Sequence, residues 1–261
     1  MIYILQDSMI DFKDVTFIIP VRFDSEDRKR NFRITIGFLE KHFDTNIIVM
    51  ESDKTSNEEF VKSISEKLTY VFEKNDSHLF HRTKMLNDMT KMSKTNMVVN
   101  YDIDVLFKPE QYIASRFALG TGANFVFPYA GKFYDIPPTY FENISNNEFD
   151  NVNLDTCTLF NPNSLGGAIF FNKDTYTKIG LENENFISWG HEDWERIGRI
   201  EKMGHKIYRI DGVLYHLTHQ RTHNSSDSNP MYNHNGNEYR KVMSMNKEQL
   251  VEHIKTWDWI K

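Results

Sequence analysis

The sequence predicts an α/β protein in which helices flank a central sheet, and three observations support this prediction. Short β-branched and aromatic runs, such as VTFIIPV at 15–21 and NIIVMES at 46–52, alternate with charged stretches of helical character. Runs at 68–74 and 96–107 continue the alternation, with an amphipathic helix predicted between them over 83–93. The 261 residues, 39% of them hydrophobic, can fill a sizeable core. Such an alternation is typical of a doubly wound, mainly parallel sheet, in which ligands collect at the carboxyl ends of strands.

The middle of the chain has a different pattern. Strands are predicted within ANFVFPYAGKFYDIPPTYF at 123–141 and SLGGAIFFNKDTY at 164–176. The Asn-rich stretch between them, 143–156, is predicted to be a long exposed loop.

The last part of the chain is predicted to contain two helices and one strand. GHEDWERIGRIEKMG at 190–204 has a helical pattern with Gly204 as its C-terminal cap. HKIYRIDGVLYHL at 205–217 follows as a strand, and an amphipathic helix over 246–261 closes the chain.

Composition excludes several classes of protein. A net charge of −6 and a pI near 5.9 argue against a surface built to bind the phosphates of nucleic acid. Cys157 is the only cysteine, so neither an internal disulfide nor a cysteine-based zinc site is expected. The first 14 residues lack a basic segment and soon become acidic, which predicts neither a signal peptide nor a membrane span. These features favour a cytoplasmic protein, with peripheral membrane contact left open.

Two aspartates, Asp102 and Asp104, stand in the strand-like run NYDIDVLF. Strand side chains alternate, so both carboxylates would lie on one face if the strand continued. They would repel each other unless a cation such as Mg²⁺ or Mn²⁺ lay nearby. The residues alone leave open an alternative in which one aspartate caps a turn and the other is solvated. The preceding MVVN run places the pair at a strand end, which leaves the metal site and the capping alternative about equally supported.

A second acidic cluster lies in FISWGHEDWER. Glu192 and Asp193 would occupy the first turn of a helix, where carboxylates also serve as ordinary caps. Trp189 next to them favours a sugar site, because sugar rings dock on indole faces while a carboxylate accepts a hydroxyl proton.

Three histidines follow in YHLTHQRTHN, namely His216, His219 and His223, together with Arg221. On a helix their spacing would place all three on one face and indicate a zinc site. The apolar strand before them and the threonines among them favour a strand followed by a loop. In that arrangement one histidine would complete the metal site and Arg221 would meet a phosphate.

Five motifs occur in order between residues 17 and 193: FIIPVR, FHRTKMLN, DID, LGG and WGHED. Together they resemble those of the GT-A glycosyltransferases, most closely the family 7 galactosyltransferase and N-acetylgalactosaminyltransferase group and related family 2 polymerase domains. The resemblance implies a Rossmann-like GT-A fold with a mixed central sheet flanked by helices. It implies one domain over 1–261, with a nucleotide-sugar half at about 14–107, an acceptor half at about 108–225 and a helical extension at 226–261.

The resemblance also implies roles for individual residues. Asp104 and His216 would bind Mn²⁺, or Mg²⁺ in its place, and Asp102 would contact the donor. Asp193 would be the general base, and Glu192 would contact the acceptor or the donor sugar. The remaining candidates for binding the nucleotide sugar are Pro20, Arg22, Glu51, Phe80, Arg82, Gly167, Trp189 and Arg221.

Several positions depart from the family pattern. Arg22 is followed by no second basic residue, so that contact is missing or is supplied by Arg28. Val213 stands where animal members have a methionine ligand, and His219 is the substitute that we expect. His191 and Trp194 replace a glycine and an aspartate of the acceptor motif, which implies a different acceptor. The missing anchor and paired cysteines suggest a bacterial or viral enzyme of polysaccharide biosynthesis.

The resulting expectation is a metal-dependent inverting transfer of a Gal, GalNAc or GlcNAc type sugar from a UDP-sugar to a glycan hydroxyl. The segment 219–230 is expected to order over the donor. The alternatives are a retaining transferase of the polypeptide N-acetylgalactosaminyltransferase type and a carbohydrate-binding domain without catalysis. A nucleotidyltransferase is disfavoured because its glycine-rich loop is absent, and a zinc hydrolase built on the three histidines is the most distant alternative.

Overall fold

The computed structural model describes residues 9–221 and 228–261. Its first half alternates strands and helices as predicted. The elements are β1 Ile10–Val21, α1 Glu26–His42, β2 Phe43–Asp53, α2 Glu58–Ile64, β3 Thr69–Lys74, α3 Arg82–Met92 and β4 Met97–Tyr101. Strand β1 pairs in parallel with β2 and β4, and β2 pairs in parallel with β3. The expected set of parallel strands is therefore confirmed, as is the helix predicted over 83–93.

The second half mixes short strands and helices. Its elements are β5 Val105–Leu106, α4 Pro109–Gly120, β6 Phe125–Phe127, β7 Phe133–Ile136, α5 Phe141–Ser145, β8 Thr158–Asn161, β9 Ala168–Asn172, α6 Lys173–Lys178, α7 Glu192–Lys202, β10 Ile207–Arg209, β11 Leu214–Leu217, α8 Tyr232–Ser244 and α9 Lys247–Ile254. Short 3₁₀ helices occupy Pro138–Tyr140, Phe149–Asn151, Leu154–Thr156 and Asp258–Ile260.

The strands form two sheets. A seven-stranded sheet has the order β10-β6-β9-β4-β1-β2-β3, in which β9 runs antiparallel to both of its neighbours. A four-stranded sheet has the order β5-β11-β7-β8. The chain passes from the first sheet to the second in the short turn between β4 and β5. This turn contains the two aspartates of the DID motif, so both aspartates lie where the two sheets meet.

Apolar side chains of the strands form most of the core. Side chains on both faces of β1 are buried from Val15 to Ile19, as expected for a parallel strand covered by helices on both sides. A separate small cluster joins α8 and α9 through Val242, Leu250 and Trp257.

Two predictions about elements are wrong. The strand predicted over 205–217 is divided between the two sheets, because Gly212 turns the chain with a φ of 121°. A Cβ at that position would also lie 2.6 Å from Cδ of Gln111. The Asn-rich stretch 143–156 is not one long loop, since it contains the end of α5 and two 3₁₀ turns. In the described parts of the chain, no helix has both the length and the apolar character required to cross a membrane.

Candidate functional site

A cavity of about 360 Å³ opens at the junction of the two sheets. Nearly all the predicted site residues line it. They are Pro20, Arg22, Phe80, Arg82, Asp102, Asp104, Gly167, Trp189, Glu192, Asp193, His216, His219 and Arg221. His223 lies outside the described residues, as do all of 222–227 within the segment 219–230.

Glu51 is the exception, because the structure does not bring it to the cavity. Its side chain is buried at the end of β2, where it accepts hydrogen bonds from the Asn57 amide nitrogen at 3.0 Å and from Asn57 Nδ2 at 2.6 Å. The Tyr70 hydroxyl donates a third bond to it. Glu51 therefore ties the start of α2 to the sheet, and the expectation that it contacts the donor is not supported.

The two aspartates reach the cavity for a reason other than strand alternation. Strand β4 ends at Tyr101, and residues 102–104 form a turn. The Asp102 amide donates to the Gly167 carbonyl at 2.9 Å, and the Thr35 hydroxyl donates to the Ile103 carbonyl at 2.7 Å. The turn is thus fixed from both sides, and it directs both carboxylates into the cavity.

Gly167 has to be a glycine at this turn. Its φ is 84°, and a Cβ would lie 2.6 Å from Cδ1 of Leu214 and 3.3 Å from Cγ1 of Val105. The LGG motif therefore lets the loop pass close to the strands that carry the acidic turn and His216.

Asp104, His216 and His219 form a cluster whose possible ligand atoms all lie within 4.8 Å of one another. Nε2 of His219 is 3.0 Å from Oδ2 of Asp104, and Nε2 of His216 is 3.8 Å from Oδ1. One carboxylate and two imidazoles make a donor set that fits a divalent first-row metal such as Mn²⁺. His216 lies in β11 and His219 in the loop after it, which matches the predicted strand followed by a loop.

Neighbouring charges shift the pKa values of Asp104 and His219. Burial alone would raise the pKa of Asp104, but His216, His219 and Arg28 together hold it well below its usual range. Burial lowers the pKa of His219, and its hydrogen bond to Asp104 outweighs this and raises it. Asp104 is thus held as an anion, which is the form that binds a cation.

Asp135 is a site residue that sequence reasoning missed. Strand β11 runs parallel to β7 with His216 opposite Asp135, and Oδ1 of Asp135 lies 2.6 Å from Nδ1 of His216. This contact turns Nε2 of His216 toward Asp104. An acidic residue inside the apolar run FYDI was the available signal, but its partner is 81 residues away.

Replacing Asp135 with asparagine is expected to weaken Mn²⁺ binding by about 10–100-fold, because the His216 ring loses the carboxylate that orients it. Calorimetric titration of Mn²⁺ into both proteins measures this. An unchanged affinity would contradict the orienting role.

Arginines also line the cavity, and one of them pairs with Asp102. Nη2 of Arg82 donates to Oδ1 of Asp102 at 2.7 Å, whereas the buried Nη1 has no hydrogen-bond partner among the described residues. Burial raises the pKa of Asp102, Arg82 opposes this rise, and Asp104 adds to it. A buried guanidinium nitrogen without a partner indicates that a ligand with acceptor oxygens belongs there.

Arg22 and Arg28 have different surroundings. Nε and Nη1 of Arg22 donate to the carbonyls of Ser52 and His78 at 2.8 and 2.9 Å, and the guanidinium lies 5.7 Å from the Phe80 ring centroid. Arg22 therefore shapes the cavity wall and supports Phe80. Arg28 reaches Oδ2 of Asp104 at 3.4 Å, so a second basic side chain does face the cavity.

The acidic residues of WGHED begin α7 at the cavity wall. His191 precedes the helix with a φ of 70°, a left-handed conformation that is uncommon outside glycine. Oε2 of Glu192 accepts from the Gly190 amide at 2.8 Å. Burial and the neighbouring Asp193 raise the pKa of Glu192 to about 7.

Asp193 is held through one of its two oxygens. Its Oδ1 accepts from Nη1 of Arg196 at 2.6 Å, and its Oδ2 faces Gly166. Nearby, Trp189 stacks on Tyr232 with ring centroids 6.0 Å apart, while Trp194 is 58% exposed at the cavity wall.

Replacing Gly166 with alanine is expected to lower catalytic turnover by about 10-fold or more, because a Cβ there would lie 2.7 Å from Oδ2 of Asp193 and must displace it. A Gly122→Ala variant is not a suitable control because of its positive φ, whereas Gly37→Ala is, since its Cβ would meet nothing within 4 Å. Equal turnover in Gly166→Ala and Gly37→Ala would contradict the prediction.

Comparisons with known proteins bear on the fold of the chain. A family model described as the N-terminal domain of galactosyltransferase matches residues 150–224. A Drosophila β1,4-galactosyltransferase 7 mutant, solved with manganese, UDP-Gal and xylobiose, is 16% identical with a TM-score of 0.53, covering 89% of this chain and 79% of that one. A mannosyltransferase from Pyrobaculum calidifontis, solved with GDP-Man and Mn²⁺, is 14% identical with a TM-score of 0.57, covering 93% and 68%. The chain has the GT-A glycosyltransferase fold.

The GT-A fold predicted from the ordered motifs is thereby confirmed, together with its mixed sheet. The catalytic domain of the same Drosophila enzyme in complex with xylobiose also matches, at 16% identity and a TM-score of 0.47, over 75% of this chain and 63% of the length of that one. Comparison with curated proteins gave no match. The family model covers residues 150–224 only, and the solved structures show a shared fold.

Proposed function

We propose that this GT-A protein is a metal-dependent glycosyltransferase that moves a Gal, GalNAc or GlcNAc type sugar from a UDP-sugar to a glycan hydroxyl, with inversion. One observation carries the proposal. A single cavity holds a cluster fit for a metal, a buried arginine nitrogen without a described partner and a carboxylate held in a defined orientation. The structural neighbours solved with Mn²⁺ and a nucleotide sugar support the same reading.

The metal would be held by Asp104, His216 and His219, with Asp135 behind His216. When bound, Mn²⁺ would supply positive charge for the diphosphate leaving group. The chain adds cationic side chains of its own. Nη1 of Arg82 is the group best placed to donate to a phosphate oxygen, and Arg221, whose guanidinium lies 4.2 Å from the Phe160 ring centroid, faces the same cavity.

The donor would lie between the acidic turn and the LGG loop. Asp102 accepts a hydrogen bond from Arg82 with one oxygen and would accept one from a hydroxyl group of the ribose or the donor sugar with the other. Gly167 would allow the sugar ring to approach the loop closely. Phe80, supported by Arg22, would pack against the nucleotide.

The two carboxylates of WGHED suit different tasks. Oδ2 of Asp193 would take the proton from the acceptor hydroxyl. The oxygen of that hydroxyl would attack the anomeric carbon of the donor sugar as the bond between this carbon and UDP breaks. General-base help of this kind contributes about 10²–10⁴-fold. Burial raises the pKa of Glu192 to about 7, so below that pH its carboxyl is largely protonated and can donate a hydrogen bond to a sugar oxygen. Trp189 would provide the platform for the acceptor ring.

A donor screen tests this proposal. UDP-Gal, UDP-GalNAc, UDP-GlcNAc and GDP-Man are each incubated with the protein and Mn²⁺, with xylobiose and methyl hexosides as acceptors, and free nucleotide is measured. We expect release from a UDP-sugar that EDTA abolishes. Metal-independent release, or no release from any donor, would contradict the proposal. The anomeric configuration of the product, determined by NMR, then separates inversion from retention.

A further inference from the structure

We propose that three buried side chains, Asn100, Glu182 and Arg196, form a chain of hydrogen bonds that positions Asp193 and connects it to the strand carrying the acidic turn. This inference rests on the proposed function, in which Asp193 is the general base. None of the three lines the cavity, so each would act through Asp193 rather than on a substrate.

Arg196 is the centre of this chain. Its side chain is 3% exposed and joins two carboxylates, donating from Nη1 to Oδ1 of Asp193 at 2.6 Å and from Nε to both oxygens of Glu182 at 2.8 and 3.1 Å. A guanidinium is a rigid plane, so fixing one edge on Glu182 fixes the direction of the edge that meets Asp193.

Glu182 carries the connection to the sheet. Its Oε1 also accepts from Nδ2 of Asn100 at 2.6 Å, and Asn100 lies in β4 two residues before Asp102. The backbone of Glu182 is itself fixed, because Asn87 of α3 accepts from its amide at 2.8 Å and donates to its carbonyl at 3.0 Å. The base and the acidic turn are therefore held by one continuous buried network.

The arrangement leaves Asp193 a single direction in which to act. Oδ1 is occupied by Arg196, and Oδ2 faces the cavity wall at Gly166. Burying an ion pair costs desolvation energy that its attraction often fails to recover, so stability alone gives little reason for Arg196 to be here. Holding a carboxylate within the narrow range of orientations that proton transfer requires does give one.

Arg199 provides a matched control on the same helix. It is fully buried, and it donates from Nε to Oε1 of Glu195 at 2.7 Å and from Nη1 and Nη2 to the carbonyls of Ile179 and Leu181, both at 2.6 Å. It makes no hydrogen bond to Asp193 in the described structure. Substituting either arginine with lysine disturbs a buried ion pair in α7, but only one substitution disturbs the base.

The experiment compares Arg196→Lys with Arg199→Lys, using the UDP-sugar and acceptor with the highest Mn²⁺-dependent rate. A lysine at 196 offers one ammonium and cannot span Glu182 and Asp193 in the same geometry. We expect Arg196→Lys to lower kcat by about 100-fold with UDP affinity changed less than about twofold. Arg199→Lys should lower Tm by about as much as Arg196→Lys does, but it should keep kcat within about threefold of the wild type.

Glu182→Gln is the second variant, for the case in which Arg196→Lys does not fold. It keeps the side-chain shape and weakens the hold on Arg196, and kcat should fall by about 10-fold. Losses of kcat that are equal in the two lysine variants, or a wild-type kcat in Glu182→Gln, would overturn the inference. An active Asp193→Asn variant would instead overturn the assignment of the base, so the two failures are distinguishable.

Discussion

Replacing Asp193 with asparagine is expected to lower the rate of sugar transfer by about 10²–10⁴-fold. The amide has nearly the shape of the carboxylate. Its Oδ1 can still accept the hydrogen bond that Arg196 donates to Asp193 at 2.6 Å in the native protein. It cannot take a proton from an attacking hydroxyl. Steady-state kinetics measures the rate, and calorimetry with Mn²⁺ and UDP should show binding close to that of the wild type.

The control for this variant is Glu201→Gln, which makes the same chemical change at an exposed position of the same helix. It should transfer sugar at the wild-type rate. Turnover by Asp193→Asn at more than about a tenth of the wild-type rate would contradict the assignment of the base.

Replacing Asp104 with asparagine is expected to remove tight Mn²⁺ binding and, with it, metal-dependent release of UDP. Asp104 supplies the negative charge of the cluster, and His216, His219 and Arg28 all stabilise it as an anion. A neutral amide leaves two imidazole donors without an anionic ligand, and the positive charge of Arg28, whose Nη1 lies 3.4 Å from the native carboxylate, is no longer offset. The loss of Mn²⁺ affinity should exceed the roughly 10–100-fold typical of a residue that only supports a ligand.

Asp14→Asn is the matched control for charge, because Asp14 lies exposed on β1 and pairs with Arg116. Calorimetry on both variants separates loss of a ligand from loss of overall charge. Mn²⁺ affinity in Asp104→Asn equal to that of Asp14→Asn would contradict the metal site.

The sequence predicted the features that depend on local pattern. Runs of apolar residues located β1 to β4, and in β1, β2 and β4 consecutive side chains are buried, as a strand covered on both faces requires. The contact of Asp104 with His216 and His219 was predicted only from the order of the motifs. The structure brings them together because β11 pairs with β5, which follows the acidic turn directly.

Other features had no local signal. Strand alternation predicts Asp102 and Asp104 on one face of a strand, whereas a turn held by Thr35 and Gly167 directs them into the cavity. Glu51 stands at a strand end, as site residues often do, but its side chain meets Asn57 and Tyr70 instead.

Asp135 and Arg196 could not be assigned from the sequence for a related reason. The partner of Asp135 is 81 residues away, and the contact depends on the register of β7 with β11. Arg196 meets Asp193 within one helical turn, but its role depends on Glu182 and Asn100, which other elements bring beneath α7. Such contacts are set by the packing of elements and not by the pattern within one element.

The central claim is that one cavity holds a metal-bound nucleotide sugar opposite Asp193. Anomalous diffraction from crystals grown with Mn²⁺ and UDP tests it most directly. The account predicts an anomalous peak in contact with Asp104, His216 and His219, with the diphosphate of UDP reaching Nη1 of Arg82. A peak at another site, or UDP bound outside this cavity, would contradict it.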